Sequence, residues 1–341
     1  MKSRFLFELF LTITTYMNVI KWGIIGCGDV AEVKSGPAFS RIDNSKLIGV
    51  MRRNGAKAKD FADRHNVPYW TDDADELLNN NEINSIYIAT PPSTHLEYAL
   101  KALSLHKNVY LEKPMALTSL EAEKIGSAVK QSRGKLCVAH YRRKLPAFLK
   151  VKELIESNAI GQILIADIQI LQPRKSKIVA QSDENWRLNP HVSGGGLFYD
   201  LAPHQIDLMY HYFGAFKSVT GASTQSAKEM VEDTVNGIIE FKSGVQFRGV
   251  WSFVGAETYS KEQCVIYGTL GSIRFSFYGD SILIRTNDKE EVFKFTNPKH
   301  IQEPMITSVV SYFLGISENP CTADEGIIVM KAMEKLSGRH Q

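Results

Sequence analysis

The chain has 341 residues, of which 44% are apolar and 23% charged, and these fractions exclude disorder, collagen and coiled coil as descriptions of the whole protein. Forty basic and 37 acidic residues give a net charge of +3, which offers no electrostatic reason for nucleic acid or a membrane surface as the main partner. The length predicts about two domains of roughly 150 residues each, and no run reaches the ~20 apolar residues of a membrane span.

The chain begins with a segment, residues 1–16, in which Lys2 and Arg4 precede a short apolar stretch. A secretory signal has this order, but Glu8 interrupts the apolar part and no small-residue cleavage site follows. We predict a mobile extension, or a start codon assigned too early with Met17 as the functional start, and export is the alternative. The four cysteines are too far apart for a metal or redox motif and are predicted to be reduced core residues of a cytoplasmic protein.

From Val19 to residue 139, apolar β-branched runs alternate with helical stretches of about ten residues. Such alternation predicts βαβ units, which the right-handed crossover rule assembles into a doubly wound parallel sheet of an α/β fold. The predicted strands cover residues 19–25, 46–51, 67–70, 84–89, 108–111 and 136–139. The predicted helices cover residues 30–42, 55–65, 73–79, 95–104 and 119–132.

After a helix predicted at 146–157, short alternating runs separated by turn signals replace this pattern. They predict an open, mostly antiparallel sheet in a second, C-terminal α+β domain that covers residues 140–341. The predicted strands cover residues 162–172, 235–242, 245–254, 263–268, 272–278, 282–286 and 291–295. Further helices are predicted at 201–213, 303–318 and 324–335, and the last is expected to pack back on the first domain.

A GxGxxA pattern, Gly26–Ala31, stands between the first strand and the helix predicted after it. The first glycine permits a tight turn, and the second lets the backbone approach a pyrophosphate at the helix N-terminus. A structural glycine turn is the alternative, but the βαβ context favours dinucleotide binding and makes residues 17–139 an NAD(P)-binding Rossmann domain. The predicted cofactor contacts in this turn are Gly26, Gly28, Asp29 and Val30.

The end of the second strand decides between the two nicotinamide cofactors. An acid there would bind the ribose 2′-hydroxyl of NAD, whereas an arginine would accommodate the 2′-phosphate of NADP. The strand runs into Arg52 and Arg53, and the first acid after it is Asp60. These arginines favour NADP over NAD, and a solvated basic turn or an arginine stacked on adenine is the alternative.

Two stretches contain the residue types that acid–base chemistry needs. Glu112-Lys113-Pro114 lies at the carboxyl end of a predicted parallel strand, where open α/β sheets bind ligands and where a partly desolvated lysine can exchange a proton. Asp200 and His204 follow three consecutive glycines with i,i+4 spacing, so on a helix the carboxylate would orient the imidazole. Asp207 is a candidate second partner of His204, although Pro203 could start the helix late and disturb this geometry.

These polar stretches have three other interpretations. A helix-surface hydrogen bond would be the default reading of Asp200 and His204 in isolation, and no metal site is predicted because no further ligand stands at a metal-like spacing. His140-Tyr141-Arg142-Arg143 follows the last strand of the first domain, where Tyr141 and Arg142 would meet a substrate. A basic surface turn is the alternative for this segment.

Taken in order, GxGxxA, Ala89-Thr-Pro-Pro with His95, EKP and GGGxxxDxxxHxxD resemble the glucose–fructose oxidoreductase / inositol dehydrogenase / MocA (Gfo/Idh/MocA) family from about Met17 to the end. The resemblance implies hydride transfer between NAD(P) and a sugar, keto-sugar or cyclitol. It gives Lys113 and His204 the acid–base role and places Asp200 beside the substrate. It also implies a homodimer or homotetramer formed through the open C-terminal sheet.

The same resemblance implies cofactor contacts beyond the glycine turn, namely Thr90, Pro91, Pro92, His95, Glu112, Lys113, Trp186 and Arg187. The expected substrate contacts are Lys113, Tyr141, Arg142, Asp200 and His204. Two other functions stay open at this point. Some similar proteins use the cofactor for a transient oxidation and cleave a glycosidic bond, and others are non-catalytic regulators that sense a dinucleotide or a sugar.

Overall fold

A computed structural model describes residues 19–176, 178, 186–225 and 230–339. The predicted N-terminal extension, residues 1–16, and most of the segment between Ser176 and Trp186 lie outside these ranges. Within them, no helix is long and apolar enough to cross a bilayer. All four cysteines are buried free thiols, which confirms that they are core residues without disulfides.

The first sheet has six parallel strands in the order β3-β2-β1-β4-β5-β6. Its strands are β1 (Ile20–Ile25), β2 (Ser45–Met51), β3 (Tyr69–Thr71), β4 (Ser85–Ile88), β5 (Asn108–Leu111) and β6 (Leu136–Val138). The connecting helices are α1 (Gly55–His65), α2 (Ala74–Asn79), α3 (His95–Ser104) and α4 (Ser119–Gln131). This topology confirms the predicted doubly wound sheet, whose strand order reverses at β1 and β4 and opens a ligand crevice at their carboxyl ends.

The helix predicted over residues 30–42 is not an α-helix. A π-helical turn, Ala31–Ser35, is followed by a 3₁₀ turn, Gly36–Ser40. Pro37 has no N–H to donate to the Val33 carbonyl four residues earlier, so the α-helical ladder cannot continue. That carbonyl instead lies 3.3 Å from His300 Nδ1, which ties the turn to the C-terminal part of the chain.

The second sheet has eight strands in the order β14-β13-β12-β11-β7-β10-β9-β8. All neighbours are antiparallel except β7 and β10, which confirms the prediction of a mostly antiparallel sheet. The strands are β7 (Ile163–Leu171), β8 (Phe216–Thr224), β9 (Thr234–Phe241), β10 (Gln246–Ser252), β11 (Lys261–Gly268), β12 (Gly271–Phe275), β13 (Ser281–Thr286) and β14 (Glu290–Lys294). The helices are α5 (Pro146–Glu156), α6 (Pro190–Ser193), α7 (Gly196–Phe213), α8 (Glu303–Phe313) and α9 (Ala323–Leu336).

Several elements differ from the predictions for this half of the chain: helix α6 was not predicted, and helix α8 ends at Phe313, five residues before the predicted end. Strand β8 was not predicted, because this edge strand is rich in small polar residues and has Gly221 in its interior. Helix α7 begins at Gly196, five residues before the predicted start, and Pro203 lies inside it. Asp200 and His204 are therefore on one continuous helix, and the expectation that Pro203 could set the helix start is wrong.

Helix α9 packs against both sheets. A capping box between Thr322 and Glu325 starts it. In its first turn, Gly326 lies against Met115 and Val138 of the first half of the chain, where any Cβ would be 2.8 Å from the Met115 sulfur. Near its end, the helix backbone at Leu336 lies so close to strand β8 that only glycine fits at Gly221.

Candidate active site

The glycine turn after β1 has the shape of a phosphate-binding cradle. Gly26 has a φ of +93°, and a Cβ there would lie 2.8 Å from the side chain of Thr90 after β4, so glycine is required. Gly28 faces open space, with no heavy atom within 4 Å of where its Cβ would be. The N–H groups of Asp29 and Val30 begin the helical turn and donate to no acceptor in the described part of the chain. These features fit a pyrophosphate.

The two arginines after β2 are at the same edge of the sheet as this cradle. Arg52 is half-buried and close enough to Cys27 to affect the pKa of its thiol, which burial raises to about 11. Arg53 is exposed. Neither side chain makes an ion pair or a hydrogen bond among the described residues, and Asp60, the nearest acid in sequence, is paired with Arg64 at 2.9 Å.

The loop after β4 is fixed by a buried histidine. His95 has no exposed surface, and its ring nitrogens lie 2.8 Å from the Thr90 carbonyl and 3.0 Å from the Pro114 carbonyl. It therefore joins the Thr90-Pro91-Pro92 loop to the EKP segment and has no surface left for a direct cofactor contact. The expectation that His95 contacts the cofactor is therefore wrong, and His95 instead positions the loop that follows β4.

The Glu112 side chain is engaged in a buried network. It accepts hydrogen bonds from Tyr87 at 2.7 Å and Gln302 at 2.6 Å, and the Lys113 backbone N–H donates to its other oxygen at 3.2 Å. Gln302 also donates its backbone N–H to the Lys34 carbonyl at 3.1 Å. Glu112 thus holds the end of β5 against the C-terminal part of the chain, and both of its carboxylate oxygens accept hydrogen bonds from the described residues.

Lys113 is at the centre of a partly buried charge cluster. Its Nζ donates to the Asp200 carboxylate at 2.8 Å and to the Asp200 carbonyl at 2.7 Å. The other carboxylate oxygen accepts from Arg187 Nε at 2.9 Å, and the Arg187 guanidinium stacks 4.5 Å from the ring of Trp186. The two cations hold the pKa of Asp200 well below its usual range, although burial alone would raise it. Arg187 therefore shares the Asp200 carboxylate with Lys113, a contact that the sequence did not predict.

His204 is next to this cluster but is not bonded to Asp200. It is buried, its ring packs edge-on against Tyr141 with centroids 5.1 Å apart, and Nδ1 has no partner in the described chain. Burial, together with the positive charges of Lys113 and Arg142, lowers the pKa of His204 well below its usual value, so the imidazole is neutral near pH 7. The expectation that Asp200 orients His204 is not met, because the Asp200 carboxylate is taken by two cations.

The His140–Arg143 segment is buried, so the alternative of a basic surface turn is wrong. Arg143 donates to both carboxylate oxygens of Asp207, with its shortest bond at 2.7 Å, and to Glu325 at 2.7 Å. Asp207 is therefore committed to Arg143 and is not the second partner of His204. Arg142 points the other way, toward the second sheet, where its guanidinium stacks 4.5 Å from the ring of Tyr278.

Two residues of the site were missed by the sequence reasoning. Lys34, in the π-helical turn, is close enough to lower the pKa of both Asp200 and His204. The sequence places Tyr278 only at the end of a predicted strand, 272–278, yet its hydroxyl is buried near Arg142 and Asp200. Its pKa is raised, chiefly by burial. No local pattern could have identified Tyr278, because the pairing of strands far apart in sequence brings it to the site.

Comparison with known proteins agrees with this architecture. Residues 20–140 match the family model described as the oxidoreductase family with an NAD-binding Rossmann fold. Residues 148–274 match the model of the GFO/IDH/MocA C-terminal domain. A crystal structure of an oxidoreductase from Thermotoga maritima superposes with a TM-score of 0.82 and 24% identity, covering 93% of this chain and 95% of that one.

Two curated relatives span most of the chain. Oxidoreductase P35 of Formosa agariphila is 51% identical over 319 residues, covering 94% of this chain and 98% of its own length. The NADP(+)-dependent scyllo-inositol 2-dehydrogenase IolW of Bacillus subtilis is 26% identical over 352 residues, covering 93% of each chain. With both family models and a relative of this similarity, the chain belongs to the Gfo/Idh/MocA family of NAD(P)-binding oxidoreductases.

Proposed function

We propose that this chain is an NADP(H)-dependent oxidoreductase that interconverts a hydroxyl of a sugar or cyclitol and the corresponding carbonyl, with Lys113 and His204 exchanging the proton. The observation that carries the proposal is the position of the Lys113 ammonium. It lies at the carboxyl end of β5, is clamped to Asp200 at 2.8 Å, and is close enough to affect the pKa of His204. The relative IolW, by its name, acts on a cyclitol.

In this proposal each side chain has a separate task. Asp200 fixes the Lys113 ammonium so that one of its protons can point at the substrate oxygen. His204 is neutral and has an uncommitted ring nitrogen, so it can accept a proton from a hydroxyl or share one with Lys113. When bound, the nicotinamide cofactor supplies or takes up the hydride. The cradle at Gly26–Val30 would hold its pyrophosphate.

We assign NADP as the preferred cofactor because Arg52 and Arg53 are at the ribose edge of this cradle without anionic partners in the described chain. A 2′-phosphate would accept charge-assisted hydrogen bonds from them. We also propose that Trp186 and Arg187 border the cofactor while Arg187 holds Asp200. The assignment of residues 17–139 to the cofactor and 140–341 to the substrate is part of the same proposal.

The test is a binding titration of NADPH and NADH with the wild type and with the double variant Arg52→Ala/Arg53→Ala. We expect the double variant to lose about 10²-fold in NADPH affinity, since two charged hydrogen bonds are removed, and to change little for NADH. Arg133→Ala is the matched control, because Arg133 is also exposed but lies just before β6, at the opposite edge of the sheet.

Turnover is then measured with NADP(H) on sugars and cyclitols. Lys113→Met and His204→Asn are expected to lower kcat by about 10²–10⁴-fold while NADPH still binds. Equal binding of NADH that the arginine variants leave unchanged would contradict the NADP assignment. Binding of neither cofactor would contradict the proposed reaction, and cleavage of a glycoside without net cofactor reduction would replace it.

A further inference from the structure

A buried arginine without an anionic partner lies beside the proposed acid–base pair. Arg142 is 4% exposed, and its guanidinium stacks on the ring of Tyr278. Its one side-chain hydrogen bond in the described part of the chain runs from Nη1 to the Phe277 carbonyl, and its buried Nε donates to no group there. Because a guanidinium does not deprotonate in proteins, this permanent charge is in direct contact with ring faces and one carbonyl dipole, and with no carboxylate, among the described residues.

The Tyr278 hydroxyl is a second unpaired donor at the same place. It is buried and has no hydrogen-bond partner among the described residues. Tyr141 connects these groups to the acid–base pair, since it lies 5.4 Å from the Arg142 guanidinium and 5.1 Å from the His204 ring. Buried polar groups are paired in the great majority of native structures, so neighbouring unpaired donors indicate a recognition site.

The charges around these unpaired donors favour an anion. Four cationic side chains lie close enough to shift the pKa of Asp200 or His204, namely Lys34, Lys113, Arg142 and Arg187. The nearest negative charge is the Asp200 carboxylate, whose oxygens are already bonded to Lys113 and Arg187. Glu262, the other acid near Tyr278, accepts from the Phe277 N–H at 2.8 Å and from Ser276, and it makes no ion pair within the described chain.

We infer that Arg142 and Tyr278 form a carboxylate-binding subsite, so that the substrate of the proposed reaction is an acidic sugar rather than a neutral one. The inference rests on the proposed function and names its substrate class. A guanidinium offers a planar pair of N–H groups that matches a carboxylate, and the tyrosine hydroxyl adds a third donor. Phe277 and Tyr278 follow β12 of the second sheet, so this subsite is separate from the arginines that follow β2.

The experiment compares D-glucuronate, D-galacturonate and D-gluconate with D-glucose, D-galactose and D-glucitol. D-glucose 6-phosphate is included as an anion of different shape. For the wild type we expect kcat/KM to favour at least one acid over its neutral counterpart by about 10²-fold, because the neutral sugar leaves the buried donors unpaired. Arg142→Met should remove this preference by raising KM for the acid, and Tyr278→Phe should reduce it about tenfold.

Lys107→Met is the matched control for the loss of a buried cation. Lys107 is also bonded only to backbone carbonyls, those of Asn80 and Ile83, but it precedes β5 at the far edge of the first sheet. This variant should keep the preference for the acid. If Arg142→Met does not fold, the substrate preference of Tyr278→Phe tests the inference by itself. This variant should fold, since the hydroxyl it removes makes no hydrogen bond in the described structure.

Calorimetric binding of the preferred acid to the wild type and to both site variants separates this inference from the proposed reaction. Binding that depends on Arg142 without any turnover would contradict the reaction and support the subsite. Neutral sugars used as well as acids, a preference for the phosphate ester, or an equal loss on acid and neutral substrates in Arg142→Met would each overturn the subsite.

Discussion

The Asp200 carboxylate lies between two largely buried cations, so replacing it by asparagine should destabilise the protein more than the loss of one hydrogen bond. Lys113 Nζ is 2.8 Å from one oxygen and Arg187 Nε is 2.9 Å from the other. The side chain of Lys113 is 12% exposed, that of Arg187 8% and that of Asp200 15%. Asparagine keeps the volume but offers one acceptor, and its NH₂ group faces the other cation.

Removing one member of a buried ion pair costs about 3–5 kcal/mol because an uncompensated charge remains. We expect about 3 kcal/mol for Asp200→Asn, at the lower end, since the partial exposure lets water screen the two cations. The measurement is urea-induced unfolding near pH 7, followed by fluorescence and circular dichroism. Activity should fall as well, because the variant no longer fixes the Lys113 ammonium.

Asp63→Asn is the matched control for this experiment. Asp63 is bonded to Lys59 at 2.6 Å, a shorter distance than in the cluster, but the two side chains are 62% and 55% exposed. An exposed i,i+4 pair contributes at most about 0.5 kcal/mol, so the control should unfold close to the wild type. The reasoning would be refuted if Asp200→Asn were destabilised no more than Asp63→Asn.

Two further predictions concern the glycine turn and the pH dependence. Gly28→Ala should fold normally, because nothing lies within 4 Å of the added methyl group, yet it should weaken cofactor binding. Gly26→Ala should weaken binding and also lower the melting temperature, because Gly26 has a φ of +93° and its added methyl group would meet Thr90. Equal melting temperatures for the two variants would contradict this prediction. The pKa of His204 is lowered in the folded protein, so as the pH falls through about 6.5 this histidine becomes protonated in the unfolded chain before it does in the folded one. The stability that His204 contributes above that pH is therefore lost below it. In urea unfolding, the free energy of unfolding of His204→Asn should therefore fall less than that of the wild type between about pH 7 and pH 5.5. If it fell equally in both proteins, the lowered pKa of His204 would be contradicted.

Most of the fold was predictable because its signals are local. Helix α1 and strand β5 have the predicted bounds, since hydrophobic periodicity and capping residues such as Asn54 act over a few neighbouring positions. The failures arise where distant parts of the chain decide the local structure. The π-helical turn at Ala31–Ser35 is held by His300 and Gln302, and strand β8 depends on pairing with β9.

The candidate site was predicted in part for the same reason. The sequence identified Lys113, Asp200 and His204 as chemically suitable, but it could not assign their partners. Lys113 and Asp200 are 87 residues apart in sequence and meet only because α7 packs against the end of β5. The i,i+4 spacing suggested an Asp200–His204 pair, whereas two cations with stronger Coulombic attraction compete for the carboxylate.

The charge cluster around Lys113 is assembled by packing between the two sheets rather than by either sheet alone. Lys113 follows β5 of the first sheet, Asp200 is on α7, and Arg142 reaches Tyr278 beyond β12 of the second sheet. Helix α9 holds both halves, through Glu334, which accepts from the Ser119 backbone N–H at 2.6 Å, and through its close contact with β8. Because the Lys113–Asp200 contact and the Arg142–Tyr278 contact both lie at this junction, the position of the lysine and the position of the buried arginine depend on the same packing.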